Sequence, residues 1–250
     1  MQVGLAEFIL LFIALLVIYG MYKVVKNSLN GLADSEYEER PESSSTSSNP
    51  SGYQNREQTR NEQPESDKLM ASVLLGRAVD AATISRNYAY AIRLFTEALQ
   101  YDPNNGEIHH NRGMAYSSLE NWREAISDFS RAIILSPSPL SYEQRGLVYY
   151  KIGDRGSAFS DWQSALKMDP RRTFAMVNLA WLAIEEGQFQ QAIELCSRAI
   201  LIEPTRAKAY ENRARAYFEM GYQKQGLADI QTARELVATG RNTSNIDRFE

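Results

Sequence analysis

The chain has 250 residues, 44% of them hydrophobic, 23% charged and 10% aromatic, with a formal net charge of −4. A single cysteine, Cys196, excludes an internal disulfide and a four-cysteine zinc site. With 27 basic against 31 acidic residues there is no positive surplus for a phosphate backbone, so no nucleic acid is expected as a partner, and the totals also exclude collagen and a polytopic membrane protein.

Charge is unevenly spread. Residues 1–26 hold one acid and two bases, residues 27–68 nine acids and four bases, and residues 69–250 equal numbers of each. From Phe8 to Tyr22 every residue except Gly20 is apolar or aromatic, and Val3–Ala6 extends the run upstream past Glu7. The stretch from Val3 to Tyr22 is long enough, at about 1.5 Å per residue, to cross the roughly 30 Å of a bilayer core as one helix. A cleavable signal would place basic residues before the run and a small-x-small site after it. Here Lys23 and Lys26 follow it, beside Tyr19 and Tyr22, so residues 1–26 read as an uncleaved single-pass anchor. The two lysines place the rest of the chain on the cytoplasmic side.

Residues 27–66 read as a disordered Ser/acidic linker. Between residues 27 and 68 only Leu29, Leu32, Ala33, Tyr37 and Tyr53 are hydrophobic, eleven residues are Ser or Thr, and Pro41, Pro50 and Pro64 interrupt. Such a stretch buries too little apolar surface to offset the entropy of ordering it, and as a coil it would span about 35 Å.

Beyond it the sequence repeats. Pro103, Pro137, Pro170 and Pro204 recur at intervals of 34, 33 and 34. Five residues before each lie Ala98, Ala132, Ala165 and Ala199; twelve before lie Ala91, Ala125, Ala158 and Ala192. Twenty-four before lie Val79, Gly113, Gly146 and Ala180, and eight before lie Phe95, Phe129, Trp162 and Cys196. Ala214, Tyr217, Gly221, Gly226, Ile230 and Ala233 continue the frame into a fifth copy, with Ala238 in place of proline. Small residues let two antiparallel helices approach, aromatic ones fill the flanks, and proline ends the second helix.

This pattern resembles the tetratricopeptide repeat (TPR), a 34-residue unit, across residues 72–238. The resemblance implies an all-α, right-handed α-solenoid of about five helix hairpins, preceded by the transmembrane helix and the linker. The expected layout is a TPR domain over 67–240, with repeats at about 72–105, 106–138, 139–172, 173–206 and 207–240, then a polar tail at 241–250.

Catalytic signatures are absent, and no enzyme activity, cofactor or metal is expected. His109 and His110 are adjacent and point to different helix faces. Asp102–Glu107 lacks the glutamate of a calcium loop, and Cys196 falls on a core position. One polar feature has no core explanation: Asn111, Gln144, Asn178 and Asn212, spaced 33, 34 and 34, lie two residues before the small residue of each first helix. In the TPR family this position faces the concave groove, and in the cytosolic sugar transferase of the family asparagines there clamp a peptide backbone. A carboxamide donates and accepts at once, so it holds an extended chain without reading its sequence. The alternative is that each amide bonds neighbouring helix turns.

The family pattern also places Leu140, Leu147, Tyr150, Phe174, Val177, Trp181 and Ile184 on or beside the inner face, with packing between repeats the alternative for Val177 and Ile184. Trp181 is the first candidate for a hot spot. The clamp that grips Hsp70 or Hsp90 C-termini is not expected, because its lysine, asparagine and arginine positions fall on Gly76, Asp80, Leu140 and Gln144. The reading is a membrane-tethered adaptor binding an extended client peptide of another protein, for assembly or targeting of a membrane complex. The alternative is an architectural or oligomerising subunit using the convex face or the last repeat.

Overall fold

A computed structural model describes residues 51–242 of the chain. The expected membrane span, Val3 to Tyr22, and the linker up to residue 50 lie outside the described residues, as does most of the polar tail. Among the described residues there are ten helices and no strand. They pair into five hairpins: α1 (Ser51–Thr83) with α2 (Tyr88–Tyr101), α3 (Gly106–Ser118) with α4 (Trp122–Leu135), α5 (Pro139–Lys151) with α6 (Arg155–Met168), α7 (Thr173–Glu185) with α8 (Phe189–Ile202), and α9 (Ala207–Glu219) with α10 (Gln223–Ala238). Each hairpin packs on the next, α4 on α5, α6 on α7 and α8 on α9, giving a TPR-type α-solenoid. Among the described residues no helix is long and apolar enough to cross a membrane.

The repeat frame fixes where helices stop. Asp102, Ser136, Asp169 and Glu203, each before a proline, leave the helical region with φ between −134° and −148°. Their amides still donate to the carbonyls of Ala98, Ala132, Ala165 and Ala199 at 2.8–3.0 Å. Where Ala238 replaces the proline, α10 continues for 16 residues, against 14 in α2, α4, α6 and α8. Between the two helices of a hairpin the chain passes through a positive-φ residue, Gly153, Gly187 or Gly221; Arg86 and Glu120 take the same place in the first two hairpins.

Helix α1 starts at Ser51, well upstream of residue 67, where the repeat domain was expected to begin. Residues 56–63, Arg-Glu-Gln-Thr-Arg-Asn-Glu-Gln, are rich in straight-chain helix formers, which composition alone had assigned to a coil.

The core follows the small-residue positions. Ala91, Ala125, Ala158 and Ala192 are fully buried, as are Phe95, Phe129, Trp162 and Cys196. Gly113 and Gly146 lie so close to the facing helix that a Cβ would stand 3.0 Å from the Phe129 ring and 2.8 Å from Trp162 Nε1. In the fourth hairpin Ala180 takes the glycine place and the smaller Cys196 takes the ring's, both in one core cluster. Burial pushes the Cys196 thiol up to about 12, so it packs as a small hydrophobe.

A polar strut recurs between hairpins. Arg112 on α3 grips Asp128 on α4 through two bonds of 2.7 and 2.8 Å, and its Nη1 donates to Thr96 Oγ1 on α2 at 3.1 Å. Arg145 does the same with Asp161 on α6 and Ser130 on α4, and Arg213 with Asp229 on α10 and Ser197 on α8. Each guanidinium therefore ties the second helix of its own hairpin to that of the preceding one. In the fourth hairpin the arginine and aspartate positions are Leu179 and Leu195, both buried, and the hydroxyl position on α6 is Gln163.

Candidate groove on the first helices

First helices of neighbouring hairpins touch, α3 with α5 and α7 with α9, so they form the inner wall of the stack. Trp181 on α7 is half-buried there and held from several sides. Its Nε1 donates to Tyr150 Oη at 2.6 Å and to Glu185 Oε1 at 3.2 Å. Tyr150 Oη in turn donates to Glu185 at 3.0 Å, and Arg155 Nε pairs with the same carboxylate at 3.0 Å. The Arg215 guanidinium lies 4.7 Å from the indole centroid and Lys208 Nζ 5.6 Å from it, within cation–π range. Burial pushes the Tyr150 hydroxyl above its ordinary range; burial would likewise raise Glu185, but the Arg155 and Tyr150 hydrogen bonds outweigh it and hold that carboxyl low. The result is a rigid aromatic face bordered by two cations from the next hairpin.

The other expected groove residues distribute differently. Leu147 and Phe174 are half-buried, Leu140 is 47% exposed, and Val177 and Ile184 are buried at 5% each. Among the four amides, Asn111 and Gln144 are partly exposed and make no side-chain bond among the described residues. Asn178 donates to Phe174 O on its own helix at 3.0 Å and leaves its carbonyl oxygen open. Asn212 departs from the expected ladder: it is 1% exposed, and its Nδ2 donates to Val177 O of the preceding hairpin at 3.0 Å. The row of accessible amides thus ends at Asn178, because α9 sits close enough on α7 for the fourth amide to bond a helix carbonyl.

Toward the N-terminal end the wall has a cleft of about 340 Å³ lined by Gly106, His110, Asn111, Ser136, Leu140 and Ser141. His110 Nδ1 and Ser141 Oγ lie 2.9 Å apart, and the imidazole packs 5.5 Å from the Phe129 ring. Burial pushes His110 down to about 4, well below its ordinary value near 6.5. The folded chain therefore refuses a proton that the unfolded chain accepts, and stability falls as pH drops from 6.5 toward 4. Urea unfolding at pH 7 and pH 4.5, compared with His110→Gln, isolates this contribution. The native chain is expected to lose about 2–3 kcal/mol more than the variant between the two values; equal losses would show His110 already charged in the fold.

Sequence reasoning did not find the Arg–Asp–hydroxyl struts or the cations at Trp181. The signal for the former was available, since arginine precedes the small residue of the first helix, and aspartate the large residue of the second, in hairpins two, three and five.

Comparison with known proteins agrees with this geometry. Residues 106–139 match a tetratricopeptide-repeat family model and residues 144–210 match another, so the chain carries tetratricopeptide repeats. Human tetratricopeptide repeat protein 13 is 26% identical over 132 residues, which are 53% of this chain and 15% of that protein. The human mitochondrial import receptor subunit TOM70 is 27% identical over 159 residues, 60% of this chain and 25% of that protein. The chain spans 15–30% of the length of the first curated relatives it matches. Among solved structures, the MamA protein superposes with a TM-score of 0.57 at 23% identity, covering 67% of this chain and 91% of that one. YrrB, a TPR protein with an unusual peptide-binding site, superposes with a TM-score of 0.53 at 18% identity, covering 65% and 84%. Likeness at these identities shows a shared fold.

Proposed function

We propose that this tetratricopeptide-repeat chain is a membrane-tethered adaptor that takes an extended, partly apolar segment of a client protein along its inner wall. The observation that carries the reading is Trp181, fixed by Tyr150 and Glu185 and flanked by Lys208 and Arg215, with accessible carboxamides upstream at Asn111, Gln144 and Asn178. An indole locked in place loses little entropy on binding, and the amides supply sequence-independent bonds to a peptide backbone. Tyr150, Leu147 and Phe174 extend the apolar floor, whereas Asn212 serves the fold. Protein partners are the rule for such repeats: one structural neighbour has a peptide-binding site and one relative is an import receptor. The apolar run from Val3 to Tyr22 supplies the tether, and Lys23 and Lys26 put the repeats on the cytoplasmic side.

A peptide array probed with the full chain, with Trp181→Ala and with Gln144→Ala tests this. Trp181→Ala is expected to weaken binding about 30-fold, as for a central aromatic anchor, and Gln144→Ala by a smaller factor across all bound sequences alike. Binding unchanged in both variants would remove the groove assignment.

A further inference from the structure

The four junctions between successive second helices are not alike. Three are spanned by a guanidinium: α2 to α4 through Arg112, α4 to α6 through Arg145, and α8 to α10 through Arg213. At the fourth, between α6 and α8, all three members of the strut change together, to Gln163, Leu179 and Leu195. The space that an arginine fills elsewhere is here a cleft of about 520 Å³, on the side of the stack away from the groove. That volume is within the roughly 300–1,000 Å³ of clefts that bury a small ligand, and so is large enough for one large side chain.

Its chemistry is specific. The floor is Leu179 and Leu195 with Leu166, and Phe159 stands at the edge 40% exposed. The rim carries Lys167 from α6 and Arg198 from α8, and no carboxylate lines the cleft. Neither cation has an ion-pair partner among the described residues, whereas six arginines of the stack are paired. Gln163 and Gln191 are likewise exposed and unbonded among the described residues. An apolar floor beneath two unpaired positive charges complements a large hydrophobic side chain flanked by acidic ones.

We propose that the α6–α8 cleft is a second protein-binding site, which takes an acidic peptide segment anchored by one large hydrophobic side chain. It shares no residue with the groove and does not depend on the groove reading. Leu179 and Leu195 receive the anchor, Lys167 and Arg198 pair with the flanking carboxylates, and Gln163 and Gln191 bond its backbone.

The test uses fluorescence anisotropy of the full chain with four labelled peptides, each a Phe, Leu, Trp or Met between two glutamates on either side in a Gly-Ser frame. At least one is expected to bind saturably, with affinity falling as salt rises. Lys167→Glu combined with Arg198→Glu changes two exposed positions, leaves the fold intact and is expected to weaken binding at least tenfold. Gln163→Ser with Leu179→Arg and Leu195→Asp installs the strut of the other junctions and is expected to abolish it. Trp181→Ala is expected to leave it unchanged, which separates this site from the groove. Four outcomes would overturn the proposal: no saturable binding by any of the four, equal affinity after charge reversal, loss on Trp181→Ala, or binding of dodecanoate in place of the peptides.

Discussion

Replacing Asp161 with leucine alone is expected to destabilise the chain by about 3 kcal/mol, and replacing Arg145 with leucine as well to recover most of that loss. Asp161 is only 5% exposed and receives both the Nε and Nη2 of Arg145 at 2.8 and 2.7 Å. The bond to Asp161 holds the guanidinium above its ordinary value. Removing the carboxylate leaves a half-buried cation facing a leucine and Ser130, with its charge uncompensated. Removing both charges leaves an apolar contact of similar volume, which desolvation arithmetic makes roughly neutral. The fourth hairpin carries this same pairing, Leu179 and Leu195, both buried although a cleft opens above them. Urea midpoints of the two single variants and the double variant complete the cycle. A double variant as unstable as Asp161→Leu would show that the strut, rather than its charge balance, holds the junction.

Gly146→Ala is expected to lower stability by about 1–2 kcal/mol, although alanine is about 1 kcal/mol the better helix former. The added methyl would stand 2.8 Å from Trp162 Nε1 and 3.2 Å from Asp161 Cβ. The indole has little room to retreat, being 1% exposed with its Nε1 donating to Glu143 O at 3.2 Å. Gly76 on α1 provides the control, since a Cβ there meets nothing within 4 Å. Gly76→Ala is therefore expected to raise stability by up to about 1 kcal/mol. Matched urea melts check both signs, and a neutral Gly146→Ala would mean that α5 and α6 separate without loss.

The hairpin frame was legible because each of its signals is local and periodic. A proline every 33 or 34 residues ends a helix whatever surrounds it, and Gly113 facing Phe129 is the same steric arrangement as Gly146 facing Trp162. The start of α1 was not legible, because Glu, Gln and Arg favour a helix and a solvated coil alike. The amide ladder was legible as spacing but not as exposure. Asn178 and Asn212 hold equivalent sequence positions, and only the closeness of α9 to α7 turns the second of them inward. The α6–α8 cleft was hidden for a different reason. Leu179 and Leu195 look like ordinary core residues until the arginines and aspartates of the other hairpins show what belongs there.

The seam without a guanidinium has a mechanical side. On its inner edge the third and fourth hairpins are fastened by the Trp181–Tyr150 bond, the Arg155–Glu185 pair and the Arg172–Glu143 pair. On its outer edge, among the described residues, no hydrogen bond or ion pair joins α6 to α8, so parting those two helices breaks none. The third and fourth hairpins are thus joined by polar bonds near Trp181 and by none between their second helices, the reverse of the guanidinium-spanned outer seams.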